Sequence, residues 1–116
     1  MEVIVERCAG IDIGKRDVKA CIRVLERGRW RVEVRTFTTM TRDLLRLRDW
    51  LASETITTVG MEATGAYWKP VYYLLEGTFA VQLLNARHLY NVPGRKTDVM
   101  DAEWICQMVQ FGLVRP

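Results

Sequence analysis

Three strand-like runs follow one another almost without a gap between residues 8 and 38, and from residue 41 helix-like and strand-like runs alternate. The first run, 8–13, is short and mostly apolar, and its start could lie as early as Val3. The second, 17–25, follows across Gly14-Lys15-Arg16, a spacing that predicts a β-hairpin. In 29–38, Trp30, Val32 and Val34 alternate with Arg31, Glu33 and Arg35, the pattern of a half-exposed strand. Thr41 reads as the N-cap of a helix. Its apolar side carries Leu44, Leu47 and Leu51, flanked by Leu45 and Trp50, while Arg42, Arg46 and Arg48 face water. A strand over 56–62 comes next, then a helix over 66–76 with Pro70 near its first turn and Gly77 ending it. A strand over 78–84, a polar basic loop over 85–96 and a helix over 98–111 complete the order. Such an order predicts one α/β domain.

The chain has 116 residues, enough for one domain with a real core. With 49% hydrophobic and 27% charged residues, it has the balance of a soluble globular protein. No apolar run reaches the roughly 18 residues of a membrane span, and the N-terminus lacks a signal-peptide pattern. The net charge of +3 is mild and does not by itself demand nucleic acid. Cys8, Cys21 and Cys106 are odd in number and no pair has metal-ligand spacing. Cys8 and Cys21 could meet across a hairpin, but reduced core thiols in a cytoplasmic protein are the favoured reading. With His88 the lone histidine, a zinc site is disfavoured.

Three separated segments deliver carboxylates: Gly10-Ile11-Asp12-Ile13-Gly14-Lys15, Gly60-Met61-Glu62-Ala63-Thr64-Gly65 and Lys96-Thr97-Asp98-Val99-Met100-Asp101-Ala102. Strand alternation places Gly10 and Asp12 on one face, and Gly60 and Glu62 on one face. The small neighbours are expected to leave room for ions and a phosphate backbone. Asp98 and Asp101 are three apart and share a helix face if both lie in the helix. Converging carboxylates hold hard divalent cations, which bind oxygen and orient a phosphodiester. Plainer roles are open at each position. Asp12 and Gly14 could shape a turn, Glu62 could cap the following helix, Asp98 could be an N-cap, and Asp101 could favour the first turn.

The loop from Asn85 to Lys96 mixes cations with Tyr90 and leads straight into the acidic pair. Arg87, Arg95 and Lys96, with Lys15 beside Asp12, are the candidates for holding a phosphate backbone. The alternative is a solvated basic surface. Trp68, Tyr72, Leu74 and Leu75 read as core rather than as a base-stacking platform.

Together the three acidic segments resemble the N-terminal domain of the DEDD transposases, bacterial insertion-sequence recombinases, and the likeness spans nearly the whole chain. The resemblance implies an RNase H-like (RuvC-like) fold, a five-stranded mixed sheet flanked by helices. It implies that Asp12, Glu62, Asp98 and Asp101 form an acidic tetrad that binds Mg2+ (or Mn2+) and is catalytic. DNA, a structured guide RNA and a homo-oligomer of the full-length protein are the implied partners. The family continues into a C-terminal domain that supplies a serine nucleophile. Residues 1–116 are therefore expected to be the N-terminal domain without it. Two other readings stay open. One is a non-catalytic nucleic-acid-binding module of a larger assembly. The other is a sugar-kinase-like lobe, since the Asp12 segment also resembles that family's first phosphate loop.

Overall fold

The computed structural model describes residues 5–62, 65–84 and 101–112. Its elements are β1 (Arg7–Ile13), β2 (Asp17–Glu26), β3 (Arg29–Thr38), α1 (Thr41–Ser53), β4 (Thr58–Glu62), α2 (Trp68–Leu75), β5 (Ala80–Leu84) and α3 (Ala102–Gln110). All eight were expected in this order. The five strands form one sheet in the order β3-β2-β1-β4-β5. β1, β2 and β3 pair antiparallel as a meander, and β1, β4 and β5 pair parallel. Parallel neighbours need crossovers, and α1 and α2 supply them.

One face of the sheet carries the large core. Ala9, Ile11, Val18, Ala20, Ile22, Val59 and Met61 project there and meet Leu44, Leu47, Trp50 and Leu51 of α1 and Val71 and Leu75 of α2. Trp68, Tyr72 and Leu74 pack against this cluster, as expected of core residues. Fully burying one such aliphatic side chain contributes roughly 1.5–3 kcal/mol. β3 is an edge strand, and its Val32 and Val34 remain exposed.

The opposite face belongs to α3. Cys8, Cys21, Leu84, Ala102, Ile105, Cys106, Met108 and Val109 form a second, smaller cluster there. The three cysteines are free and buried. Cys21 lies opposite Gly10 and Cys8 opposite Arg23, so the two thiols are not a direct cross-strand pair. Both instead face Cys106. Its Sγ lies 3.8 Å from that of Cys8. Hydrogen bonding to Cys21 and to Cys8, and then burial, push the Cys106 thiol up.

Three helix starts differ from expectation, α2 opening at Trp68 rather than at 66. Thr41 is the first helical residue of α1, and the N-cap position falls on Met40, which offers no side-chain cap. α3 begins at Ala102 rather than at 98. Its N-cap is Asp101, whose Oδ1 accepts a hydrogen bond of 2.7 Å from the Trp104 backbone N–H.

Candidate functional site

Asp12 and Glu62 stand at the same end of two adjacent strands. β1 and β4 pair in parallel with Gly10 opposite Gly60 and Ile11 opposite Met61. One residue further along each strand are Asp12 and Glu62. Matching parity sends both toward the α3 face.

The glycines correct one expectation. Gly10 and Gly60 do not leave room for an ion or a phosphate; the space is filled by α3. A Cβ on Gly10 would lie 2.3 Å from the Cys106 backbone N and 2.4 Å from the Ala102 carbonyl oxygen. A Cβ on Gly60 would lie 2.4 Å from Val109 Cγ2. Gly10 therefore lets the helix backbone lie directly on β1, and Gly60 makes room for the Val109 and Ile105 side chains. Because the Ala102 carbonyl sits over Gly10, the start of α3 is set two residues short of Asp12 along β1. Asp101 is carried to the acidic end as a consequence. At the other end of α3, the Arg23 side chain donates to Gln110 Oε1, and the Val5 N–H donates to the Gln110 carbonyl at 3.2 Å.

The electrostatics record the convergence. The Asp12 carboxyl is held above the usual carboxylate range, first by partial burial and next by the charge of Glu62. Asp101 and Asp17 push the same way, and Lys19 opposes them. Lys19 was not among the residues expected at the site. It is the cross-strand partner of Asp12, and the hairpin register that makes it so follows from the Gly14–Arg16 turn.

Asp12, Glu62 and Asp101 are thus placed at one end of the sheet. Asp98, Arg87, Arg95 and Lys96 lie outside the described residues. Among the described residues, no group of three or more His, Cys, Asp or Glu side chains is placed to hold a metal ion. Lys15 is exposed in the β1–β2 turn. It lines a cavity of ≈ 250 Å³ with Thr39, Leu44, Tyr67 and Pro70 among its walls.

A mixed sheet of order β3-β2-β1-β4-β5 with helices on both faces is an RNase H-like fold. Over residues 9–116 the sequence matches the model of the IS110-type DEDD transposases, so the chain belongs to that transposase family. Among solved structures it is similar to the fowlpox virus Holliday junction resolvase, at 14% identity and a TM-score of 0.52, covering 68% of this chain and 60% of the resolvase. The complex of fowlpox virus resolvase with substrate Holliday junction DNA is also similar, at 14% identity and a TM-score of 0.52, covering 78% and 63%. The chain thus spans less than two thirds of the resolvase chains. No curated protein matches it. No helix among the described residues is long and apolar enough to cross a membrane.

Proposed function

We propose that this domain performs metal-dependent phosphodiester chemistry on DNA as part of a transposase, with Asp12, Glu62, Asp98 and Asp101 as its carboxylates. The observation that carries this reading is the raised Asp12 carboxyl, partly buried and facing Glu62 and Asp101. Like charges held together in a half-buried setting cost stability, and sites that tolerate this cost are functional-site candidates. Membership in the transposase family points the same way.

The donor set fits Mg2+ or Mn2+, which take oxygen ligands. Asp12 and Glu62 would hold the cation, with Asp101 and Asp98 completing the set from the other side. When bound, the cation neutralises charge on the phosphodiester and orients the attacking oxygen. The chain's own residues do the rest. β1 and β4 fix two carboxylates side by side, α3 fixes a third, and Asp101 is held by its bond to the Trp104 N–H. Lys15, Arg87, Arg95 and Lys96 would hold the DNA backbone at the rim. Strand exchange would draw its serine nucleophile from outside residues 1–116, and a structured RNA and further copies of the protein would complete the assembly.

The second reading is a non-catalytic nucleic-acid-binding module of a larger assembly. Incubation with branched and linear DNA separates the two readings. Catalysis predicts nicking in Mg2+ or Mn2+ that chelation and Asp12→Asn both abolish. Nicking that survives Asp12→Asn would move the chemistry elsewhere. Binding with no nicking in either metal would favour the module.

A further inference from the structure

One local conflict between sequence and backbone lies at the end of the sheet opposite the acids. Glu26 and Arg29 are a cross-strand pair, so Arg27 and Gly28 form a two-residue hairpin loop. Both have positive φ, 52° at Arg27 and 76° at Gly28. This is the conformation of a type I′ turn, which favours Asn-Gly, Asp-Gly or Gly-Gly. An arginine in the left-handed region carries a steric cost that asparagine largely avoids.

The arginine at this position serves nothing inside the fold. Arg27 and Arg29 are exposed. Among the described residues neither has an ion-pair partner, whereas neighbouring Arg31 is paired with Glu54 at 2.5 Å and with Glu26 at 3.3 Å. Around the tip, Glu26, Arg27, Arg29, Trp30 and Arg31 line an open cleft of ≈ 710 Å³. The Arg23 guanidinium covers the Trp30 ring at 5.7 Å from its centroid, so Trp30 is a wall and not a stacking platform. What remains on offer is a pair of exposed guanidiniums on an open, protruding turn. Strain kept at an exposed tip in order to present charge points to a ligand.

We propose that the β2–β3 hairpin tip is a second contact for the phosphate backbone of duplex DNA, made by Arg27 and Arg29. The proposal rests on the DNA reading given above. An open cleft suits a long polyanion better than a small one, which needs enclosure. The tip lies seven residues of strand beyond Lys19, the partner of Asp12. That is about 23 Å at strand rise. A duplex turn is about 34 Å, so one duplex segment is long enough to meet both ends of the sheet.

The turn chemistry supplies a test in which stability and binding move in opposite directions. Arg27→Asn creates the preferred Asn-Gly turn and should raise Tm by about 2–5 °C. The same change should weaken binding of a 25-base-pair duplex, and Arg27→Asn with Arg29→Gln should weaken it further. The double variant should also flatten the log–log salt dependence between 50 and 200 mM by about two units, roughly 0.9 for each phosphate no longer neutralised. Arg27→Lys keeps the charge and should keep most of the affinity. A higher Tm with unaltered DNA affinity and slope would overturn the proposal. So would a greater loss for duplex RNA than for duplex DNA, which would make RNA the ligand. Wild-type protein that binds no duplex DNA would overturn the DNA reading itself. Wild-type binding that survives the double variant would overturn the hairpin contact alone.

Discussion

On the face of the sheet covered by α1 and α2, Ile11, Ile22, Met61, Leu47 and Leu51 are fully buried, and the layers are held apart by bulky side chains. On the face covered by α3, the corresponding strand positions are Cys8, Gly10, Cys21 and Gly60, and the helix backbone touches the sheet. The first face can lose a side chain and still hold its shape, because stability there is a sum of many burials. The second depends on one distance, the approach of Ala102 and Cys106 to Gly10. The acids belong to the second face. Bulk secures the fold, and contact between a helix and two glycines sets where Asp101 stands relative to Asp12 and Glu62.

The contrast can be broken from either side. Leu51→Ala leaves a cavity on the bulky face and should cost about 3–4 kcal/mol in urea unfolding. The response of Tm to Mn2+ should survive it, because no acid moves. Gly10→Ala should cost about 3 kcal/mol, at the upper end for overpacking, since the clash is with backbone atoms and α3 must shift as a body. Here the response to Mn2+ should disappear along with the stability. Equal metal responses in the two variants would show that the face packed by glycine has no special part in the site.

Removing charge sharpens the contrast further. Asp12→Asn should stabilise the metal-free protein slightly, solvent screening keeping the gain small, the usual sign of a site that trades stability for function. The pH dependence has a definite sign. The Asp12 carboxyl is raised in the folded state, first by burial and then by Glu62. Its favourable contribution is therefore fully present below the unfolded value of about 3.9 and is lost as pH rises through the folded value. The advantage of Asp12→Asn should grow over that interval and level off above it. At the other end of the sheet Glu54 behaves in reverse, held below the usual range by its hydrogen bond to Arg31. Its contribution is present above the unfolded value and lost as pH falls through the folded one.

Much of this was legible in the sequence. Period-two alternation marks β3, and the spacing of Leu44, Leu47 and Leu51 marks α1. The acidic ends of β1 and β4 are visible as carboxylates beside small residues. The role of the glycines was not legible. Gly10 is small because of Cys106, far along the chain, and strand periodicity carries no trace of a helix that distant. The start of α3 was ambiguous for a local reason. In the sequence Asp98 reads as a possible cap and Asp101 as an acid of the first turn, whereas Asp101 is the cap of α3, whose Ala102 settles on Gly10. Lys19 was missed because its importance comes from cross-strand register with Asp12 rather than from its neighbours in sequence.

The central claim is that the acids around Asp12 are a cation site assembled by the approach of α3. Thermal unfolding with and without Mn2+, for the wild type and for Asp12→Asn with Glu62→Gln, tests it most directly. Binding to the folded state alone should raise the wild-type Tm, by an amount that grows with Mn2+ concentration. In the double variant Tm should start higher without metal and show no further increase with it. An undiminished Mn2+ response in the double variant would contradict the claim.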